Sequence, residues 1–233
     1  MARVYSLLST KGGCGKSTAS VSLAAHYASL GMRVLLIDAD GPQHHAAKWL
    51  DGAEALSAIK CVVEPHDVAP IIAEHDADYD RILVDVIGVD ADVLSSAASN
   101  SDLVAVPMAC TPLDADGALS TARRLIALEQ EMRADLTKKG DPAAATFRIP
   151  FRILLTRVQP RTRLYRHYKH EIVEAGFPLL RTEWKALSVY AEGMAFGSTP
   201  TFLEPKGEAA QQIADLAAEL DSIVDAMQSK EIA

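Results

Sequence analysis

Residues 11–18 read Lys-Gly-Gly-Cys-Gly-Lys-Ser-Thr, and this stretch decides the fold. It follows the apolar run 4–9, Val-Tyr-Ser-Leu-Leu-Ser. A glycine-rich loop that ends in Gly-Lys-Ser, between a strand and a helix, is typical of a phosphate-binding loop. Thr10 stands where the general pattern has its first glycine, and Lys11 adds a second lysine at the entrance. The loop is therefore a deviant form, whose first lysine can reach the phosphates of a nucleotide in a partner subunit.

Each residue type in this loop suits a phosphate ligand. Glycine permits positive φ, and we expect the three glycines to turn successive N–H groups toward phosphate oxygens. The helix that begins at Lys16 adds the positive end of its dipole. Lys16 is a mobile charge for the β and γ phosphates, and Ser17 can ligate Mg²⁺. The predicted nucleotide-binding residues of the loop are Lys11, Gly12, Gly13, Cys14, Gly15, Lys16, Ser17 and Thr18.

Length and composition predict one α/β domain over residues 1–233. Apolar residues make up 49% of the chain, and short Val/Ile/Leu runs alternate with Ala/Leu-rich helical segments. This alternation predicts a mostly parallel sheet flanked by helices, and with the phosphate-binding loop the predicted fold is a single-domain P-loop NTPase. We predict strands near 3–9, 33–38, 60–64, 81–86, 102–107 and 151–156. We predict helices near 16–30, 43–50, 67–75, 91–99, 114–137, 162–175, 184–195 and 207–228.

Charge and cysteine content narrow the class of protein. The net charge of −8 argues against general affinity for nucleic acid, yet seven Arg or Lys and no acid lie in 148–170. Cys14, Cys61 and Cys110 fit no disulfide or metal pattern, which predicts a reducing compartment. No apolar run is long enough for a membrane span, and the first strand begins too early for a signal peptide. We therefore expect a cytoplasmic protein with no membrane partner.

Two further predicted strands end in aspartates. Asp38-Ala39-Asp40 follows the second strand, and the fourth strand ends in Asp85. The carboxyl ends of parallel strands form the ligand-binding edge of such a sheet. Carboxylates there suit the organisation of Mg²⁺ and the placement of an attacking water, and an apolar strand that ends in Asp has the form of a Walker B segment. The alternative for Asp38 and Asp40 is a solvated turn with a helix cap.

Together these motifs resemble the ParA/MinD family of deviant Walker A ATPases. The resemblance rests on residues 11–18, 38–40, 81–85, 106–107 and 111–114. It continues through residues 154–157 and 189–193, which are similar to the small, single-domain ParA proteins of plasmid partition. Residues 111–121 also resemble the VirC-type ATPases that assist DNA transfer.

The resemblance implies a slow, Mg²⁺-dependent ATPase whose cofactors are ATP and Mg²⁺. It implies an ATP-dependent homodimer that binds DNA non-specifically at the nucleoid, with hydrolysis triggered by a ParB-like or other activating partner. Lys11 would reach the partner's nucleotide, Lys16 would bind phosphates, and Asp40 would position or activate the water. These three are the implied catalytic residues. The implied metal ligands are Ser17, Asp38 and Asp85, and the base would lie near Arg157 and Pro205.

The basic stretch 157–170 has two interpretations. Leu164, Tyr168 and Ile172 are spaced by four and are predicted to face the core of a helix. Arg163, Arg166 and Lys169 or His170 then form an outward stripe, which is either an ordinary solvated face or a non-specific DNA-binding surface. The family resemblance favours DNA, with binding that weakens as salt rises. The predicted DNA-binding residues are Arg163, Arg166, Lys169 and Lys185, with Arg181 as a further extension.

Other functions stay open. One alternative is a VirC-type ATPase that assists conjugative DNA transfer, which is in the same mechanistic class as a ParA-type ATPase. An ATP-dependent ligase of the dethiobiotin synthetase type shares the fold, but Lys11 argues against it. A MinD-like membrane switch needs a basic amphipathic C-terminal helix, whereas residues 221–233 are acidic to neutral. Two segments depart from the family pattern: 38–43 is one residue longer, and Asp85-Val86-Ile87-Gly88 replaces Asp-Thr-Pro-Pro.

Overall fold

A computed structural model describes residues 1–41, 43–87 and 90–231. Pro42 and Gly88, which belong to the two departures from the family pattern, lie outside these ranges. The strands of the described chain are β1 (Arg3–Ser9), β2 (Val34–Ala39), β3 (Ile59–Val63), β4 (Arg81–Ile87), β5 (Leu103–Ala109) and β6 (Phe151–Thr156). The helices are α1 (Lys16–Ser29), α2 (His45–Leu50), α3 (Ala69–His75), α4 (Ala91–Ser99), α5 (Pro112–Lys138), α6 (Arg163–Glu174), α7 (Val189–Ala195), α8 (Pro200–Leu203) and α9 (Glu208–Glu231). No helix in these ranges is both long and apolar enough to cross a bilayer.

The strands form one sheet in the order β3-β2-β4-β1-β5-β6, and every pair of neighbours is parallel. This confirms the predicted α/β fold, with a sheet that is wholly parallel over the described strands. The order places β1 between β4 and β5 near the middle of the sheet. The register aligns Asp38 on β2 with Asp85 on β4, so the two predicted acidic motifs meet at one edge.

Alternating side chains of β1 point into two cores, one on each face of the sheet. Val4 and Leu8 pack in the core that α3, α4, α5 and α6 cover. Tyr5 and Leu7 pack in the core that α1, α2 and α9 cover. A parallel sheet covered on both faces needs strands that are apolar on both sides, which explains the near-continuous burial of β1, β2, β4 and β5.

The predicted helix over 184–195 was wrong over residues 184–188, since α7 begins at Val189. Trp184 donates its backbone N–H to the Leu155 carbonyl at 2.9 Å, and Val158 donates to the Trp184 carbonyl at 2.8 Å. These bonds hold residue 184 in an extended conformation beside β6. A pattern of apolar residues did not reveal this pairing, because it depends on a partner that lies about 30 residues away.

A charged cluster at the amino edge of the sheet ties α9 to β1 and β4. Asp221 accepts hydrogen bonds from the Tyr5 hydroxyl at 2.5 Å and from Arg3 at 3.2 Å, and it lies 3.0 Å from Arg81 Nη2. Only 12% of the Arg81 side chain is exposed.

Asp221→Ala leaves this cation without its partner, so we expect it to lower the free energy of unfolding by about 2 kcal/mol. Thermal denaturation measures the loss, and Asp225→Ala, at a carboxylate 60% exposed, is the matched control with a cost below about 1 kcal/mol. Equal effects of the two variants would contradict the prediction.

Candidate nucleotide-binding site

The predicted phosphate-binding loop joins β1 to α1 at the carboxyl edge of the sheet. Gly13 has φ 82° and Gly15 has φ 97°, both in the left-handed region that favours glycine. Gly12 lies outside that region, so the expectation of positive φ was wrong for this glycine. The loop therefore turns at two glycines. Its last residue leads directly into α1, whose first N–H groups have no partner within the helix.

The end of β6 holds the loop in place. The buried Thr156 hydroxyl donates to the Cys14 carbonyl at 2.7 Å, and Arg157 Nη1 donates to the Gly13 carbonyl at 3.3 Å. Arg157 has φ 51°, an uncommon conformation for a residue with a side chain. The structure thus places Arg157 beside the loop, and its predicted position near the base stays a prediction. Pro205 is exposed in the turn after α8, and its proximity to the base stays a prediction.

Lys16 is buried between the loop and the carboxylates. Its Nζ donates to the Lys11 carbonyl at 3.4 Å and lies 4.0 Å from Asp40 Oδ2. Only 3% of Asp40 is exposed, and its Oδ1 has no hydrogen-bond partner among the described residues. A buried carboxylate oxygen without a partner is costly, and a water or a ligand can relieve that cost. The geometry therefore fits the predicted role of Asp40 in placing a water.

Asp85 is fully buried at the carboxyl end of β4. Its Oδ1 accepts a hydrogen bond from Ser20 at 3.2 Å, and its Oδ2 has no partner among the described residues. Burial raises the pKa of Asp85 to about 7, while the Ser17 hydroxyl and the Lys16 ammonium oppose the rise. A bound cation favours the ionised form of such a carboxyl. Asp85 and Ser17 therefore fit the predicted magnesium site, and their roles as ligands stay predictions.

Asp38 has a different environment from Asp85, although the two are paired across the sheet. Its Oδ1 accepts the backbone N–H of Asp40 at 3.0 Å, and its Oδ2 accepts that of Ala47 at 2.8 Å. Oδ1 thus fixes the backbone of Asp40, and Oδ2 fixes the first turn of α2. The metal role of Asp38 stays a prediction, and the hydrogen bonds give it a positioning role as well.

The side chains at this site suit the binding of Mg²⁺ and a nucleoside triphosphate. In the described ranges no three His, Cys, Asp or Glu side chains converge to hold a metal alone. Magnesium here would be shared between Ser17, Asp85, waters and phosphate oxygens, as is usual for this ion. When bound, ATP supplies the scissile phosphate bond and Mg²⁺ offsets its negative charge. With ATP bound, Lys16 would bind phosphate oxygens and Asp40 would orient the water, and both roles stay predictions.

The predicted DNA-binding residues are all exposed but differ in charge balance. Arg163 and Arg166 are exposed on the first turns of α6. Lys169 donates to Glu183 at 2.7 Å, and Lys185 forms an ion pair with Glu208. These pairs offset two of the four predicted charges, and DNA contact by any of the four stays a prediction.

The assignment of Leu164 to the core was wrong. Leu164 is 51% exposed, whereas Tyr168 and Ile172 are buried as expected. Leu164 lies in the first turn of α6 and shares the helical spacing of the buried pair without sharing their burial.

Sequence reasoning also missed three residues that contact the site. Ser20, one turn into α1, donates to Asp85. Gly117 and Thr121 on α5 contact the loop entrance through Thr10 and Lys11. A glycine inside a predicted helix is the signal that marks this contact, because such a residue weakens a helix unless space requires it.

The first strand of the parallel sheet leads through the deviant Lys-Gly-Gly-Cys-Gly-Lys-Ser loop into a helix. This arrangement defines a P-loop nucleotide-binding protein. A family model described as VirC1 protein matches residues 2–174. The protein ParA of Rhizobium radiobacter is 31% identical over 200 residues, which cover 83% of this chain and 83% of that protein. The protein virC1 of the same organism is 35% identical over 133 residues, which cover 54% of this chain and 57% of that protein.

The septum site-determining protein MinD of Pyrococcus horikoshii OT3, complexed with Mg-ADP, has a similar structure. The TM-score is 0.64 at 20% identity, over 97% of this chain and 99% of that chain. The chain therefore belongs to the VirC1 family, within the ParA/MinD group of deviant Walker A ATPases. The predicted family is confirmed.

Proposed function

We propose that this protein is a nucleotide-switched ATPase, in which ATP joins two copies face to face and hydrolysis releases them. The observation that carries the proposal is the contrast between its two loop lysines. Lys16 is buried within its own loop, where it serves the nucleotide of its own subunit. Lys11 is exposed at the entrance of the same loop. An exposed ammonium beside a phosphate site suits the triphosphate of a second subunit, whose negative charge it offsets.

Hydrolysis in this proposal depends on Asp40. Asp40 Oδ1 has no hydrogen-bond partner among the described residues, and the other oxygen of the same carboxylate, Oδ2, lies 4.0 Å from Lys16 Nζ. Asp40 accepts a proton or a hydrogen bond from the attacking water, and Lys16 stabilises charge on the transferred phosphoryl group. Turnover in this proposal is slow until a partner protein completes the site.

Light scattering after size exclusion tests the proposal directly. We expect monomers without nucleotide and with ADP, and dimers with ATP and Mg²⁺, together with slow release of phosphate. Lys16→Ala is the matched control, because it removes the charge on the subunit's own nucleotide and should abolish binding, dimerisation and hydrolysis together. A protein that releases phosphate while it stays monomeric at every concentration would be an ATPase without the switch.

The dimer binds DNA without sequence preference in this proposal, and it segregates DNA or positions a cargo under the control of an activating partner. A second candidate is assistance to DNA transfer, which the VirC1 family match over residues 2–174 favours. The two candidates differ in the activator. A small basic DNA-binding protein encoded beside this chain, if it stimulates ATP hydrolysis by the purified protein, supports segregation. Stimulation by components of a DNA-transfer complex supports the second candidate.

The exposed arginines of α6 provide a test of DNA binding. We expect Arg163→Ala with Arg166→Ala to weaken binding of the ATP-bound dimer to every duplex alike, because phosphate contacts carry no base information. The slope of log affinity against log salt should flatten by about 0.9 for each phosphate that the variant no longer neutralises. Fluorescence anisotropy over a salt series measures both effects.

The control for this test keeps the same change of net charge. Lys138→Ala with Lys139→Ala removes two exposed cations at the far end of α5 and should leave the salt slope unchanged. We expect Lys169→Ala to have a smaller effect than either arginine variant, because Glu183 already pairs with this lysine at 2.7 Å. Equal affinity of the arginine variant and the native protein would leave α6 as an ordinary solvated helix.

A further inference from the structure

Gly117 lies inside α5, where neither the helix nor its backbone needs a glycine. Helix α5 spans Pro112–Lys138, so Gly117 is well beyond its first residue. The residue is buried, and its φ is not in the left-handed region that requires glycine. Glycine in a helix interior is destabilising relative to alanine. The reason for glycine here must therefore be the space that a side chain would take.

That space is occupied by Lys11. A Cβ added to Gly117 would lie 2.5 Å from Lys11 Cγ, 3.4 Å from its Cβ and 3.7 Å from its Cδ. Carbon atoms in good contact are about 3.5 to 4.0 Å apart, so the shortest of these distances is a clash. The clash falls on the base of the lysine side chain and not on its flexible end. The first half of Lys11 thus lies on α5 at the position where a side chain is missing.

The same turn of α5 also fixes the backbone just before Lys11. Thr10 donates its hydroxyl to the Gly117 carbonyl at 3.3 Å and its N–H to Thr121 Oγ1 at 3.3 Å. Thr121 is fully buried, and its hydroxyl donates to the Gly117 carbonyl at 2.8 Å. Hydrogen bonds therefore fix Thr10 at the loop entrance to α5, and the side chain of Lys11 packs against the same helix.

We propose that Gly117 is a positioning residue, which fixes the direction in which Lys11 leaves the loop. The inference rests on the proposed function, in which Lys11 reaches the nucleotide of a partner subunit. A lysine loses much rotamer freedom when its ammonium is fixed in one place. The Cβ and Cγ atoms of Lys11 already pack against α5, so only the outer bonds of this side chain remain to be ordered on dimerisation. The glycine thus reduces the entropy that two lysines lose when two subunits join.

A double-mutant cycle between Gly117 and Lys11 tests this inference. We expect Gly117→Ala to weaken the ATP-dependent dimer by about tenfold or more, since ordering one such side chain is worth up to about tenfold and a dimer has two. Binding of ADP by the monomer should be unchanged. The melting temperature should fall when Lys11 is present and rise when Lys11→Ala has removed the clash, because alanine favours the helix. Light scattering, ADP titration and thermal denaturation give the three readouts.

The readouts separate this inference from the proposed function. Ser120→Ala, an exposed change on the same helix, is the control and should match the native protein. If the native protein dimerises with ATP and Lys11→Ala does not, while Gly117→Ala dimerises as well as the native protein, the inference fails and the proposed function stands. A fall in melting temperature that persists in the Lys11→Ala background assigns Gly117 to helix packing alone and overturns the inference. A native protein that stays monomeric in ATP overturns both.

Discussion

Asp40→Ala is expected to lower the rate of ATP hydrolysis by about 100-fold or more, while ATP binding is retained. Asp40 is a buried carboxylate close to Lys16, and its Oδ1 has no hydrogen-bond partner among the described residues, so this oxygen can take a hydrogen bond from water in the transition state. Within the described ranges, that oxygen makes no hydrogen bond to the loop that wraps the phosphates. The loss of Asp40 therefore affects the reaction and not the ground-state complex. The dimer formed with ATP should consequently persist.

Phosphate release and dimer lifetime measure this prediction together. The native protein should form dimers that decay as ATP is consumed, whereas the variant should remain dimeric over the same period. Asp51→Ala, an exposed carboxylate just after α2, is the matched control and should hydrolyse ATP at the native rate. If Asp40→Ala also hydrolyses ATP at the native rate, Asp40 does not position the water.

Lys11→Ala is expected to weaken the ATP-dependent dimer by about 100-fold or more. A hydrogen bond to a charged group is worth about 1.5 to 3 kcal/mol, and the proposed dimer has two such lysines. The monomer should bind ATP nearly as well as before, because Lys16 supplies the charge within its own subunit. The effect is thus on association and not on affinity for the nucleotide.

The Asp40→Ala background removes hydrolysis from this measurement. Light scattering over a range of protein concentrations then gives the association constant with and without Lys11. Lys48→Ala, an exposed lysine on α2, controls for the loss of one positive charge. Dimers of equal stability with and without Lys11 would show that this lysine does not act across the interface.

The site was predictable wherever its chemistry is encoded within a few consecutive residues. The loop at 11–18 and the aspartates 38, 40 and 85 follow from local pattern, because each lies at the end of an apolar strand. Parallel strands bring these ends to one edge whatever their order in the sheet. The sequence could therefore place the carboxylates near the loop without knowledge of the strand order.

Features that depend on distant partners were not predictable in this way. The ion pair between Lys169 and Glu183 joins α6 to the segment beside β6, and no spacing within α6 reveals it. Asp38 and Asp40 have the same residue type, yet within the described chain backbone N–H groups occupy both oxygens of Asp38 and leave one oxygen of Asp40 without a partner. Gly117 was within a predicted helix, but the space that a side chain would take there is occupied by Lys11, which lies more than 100 positions earlier in the sequence.

The central position of β1 in the sheet affects the stage of synthesis at which the site can form. The strand that leads into the phosphate loop is β1, and its neighbours in the sheet are β4 and β5, which end at residues 87 and 109. Their pairing has high sequence separation, which slows folding and leaves apolar strands exposed meanwhile. Thr156 and Arg157 at the end of β6 also hold the loop, so we expect a nascent chain to bind nucleotide only after these later strands have been synthesised. We expect ribosome-bound chains arrested before β4 to rely on chaperones, and chains arrested well beyond β5 to be the first that ATP protects from protease.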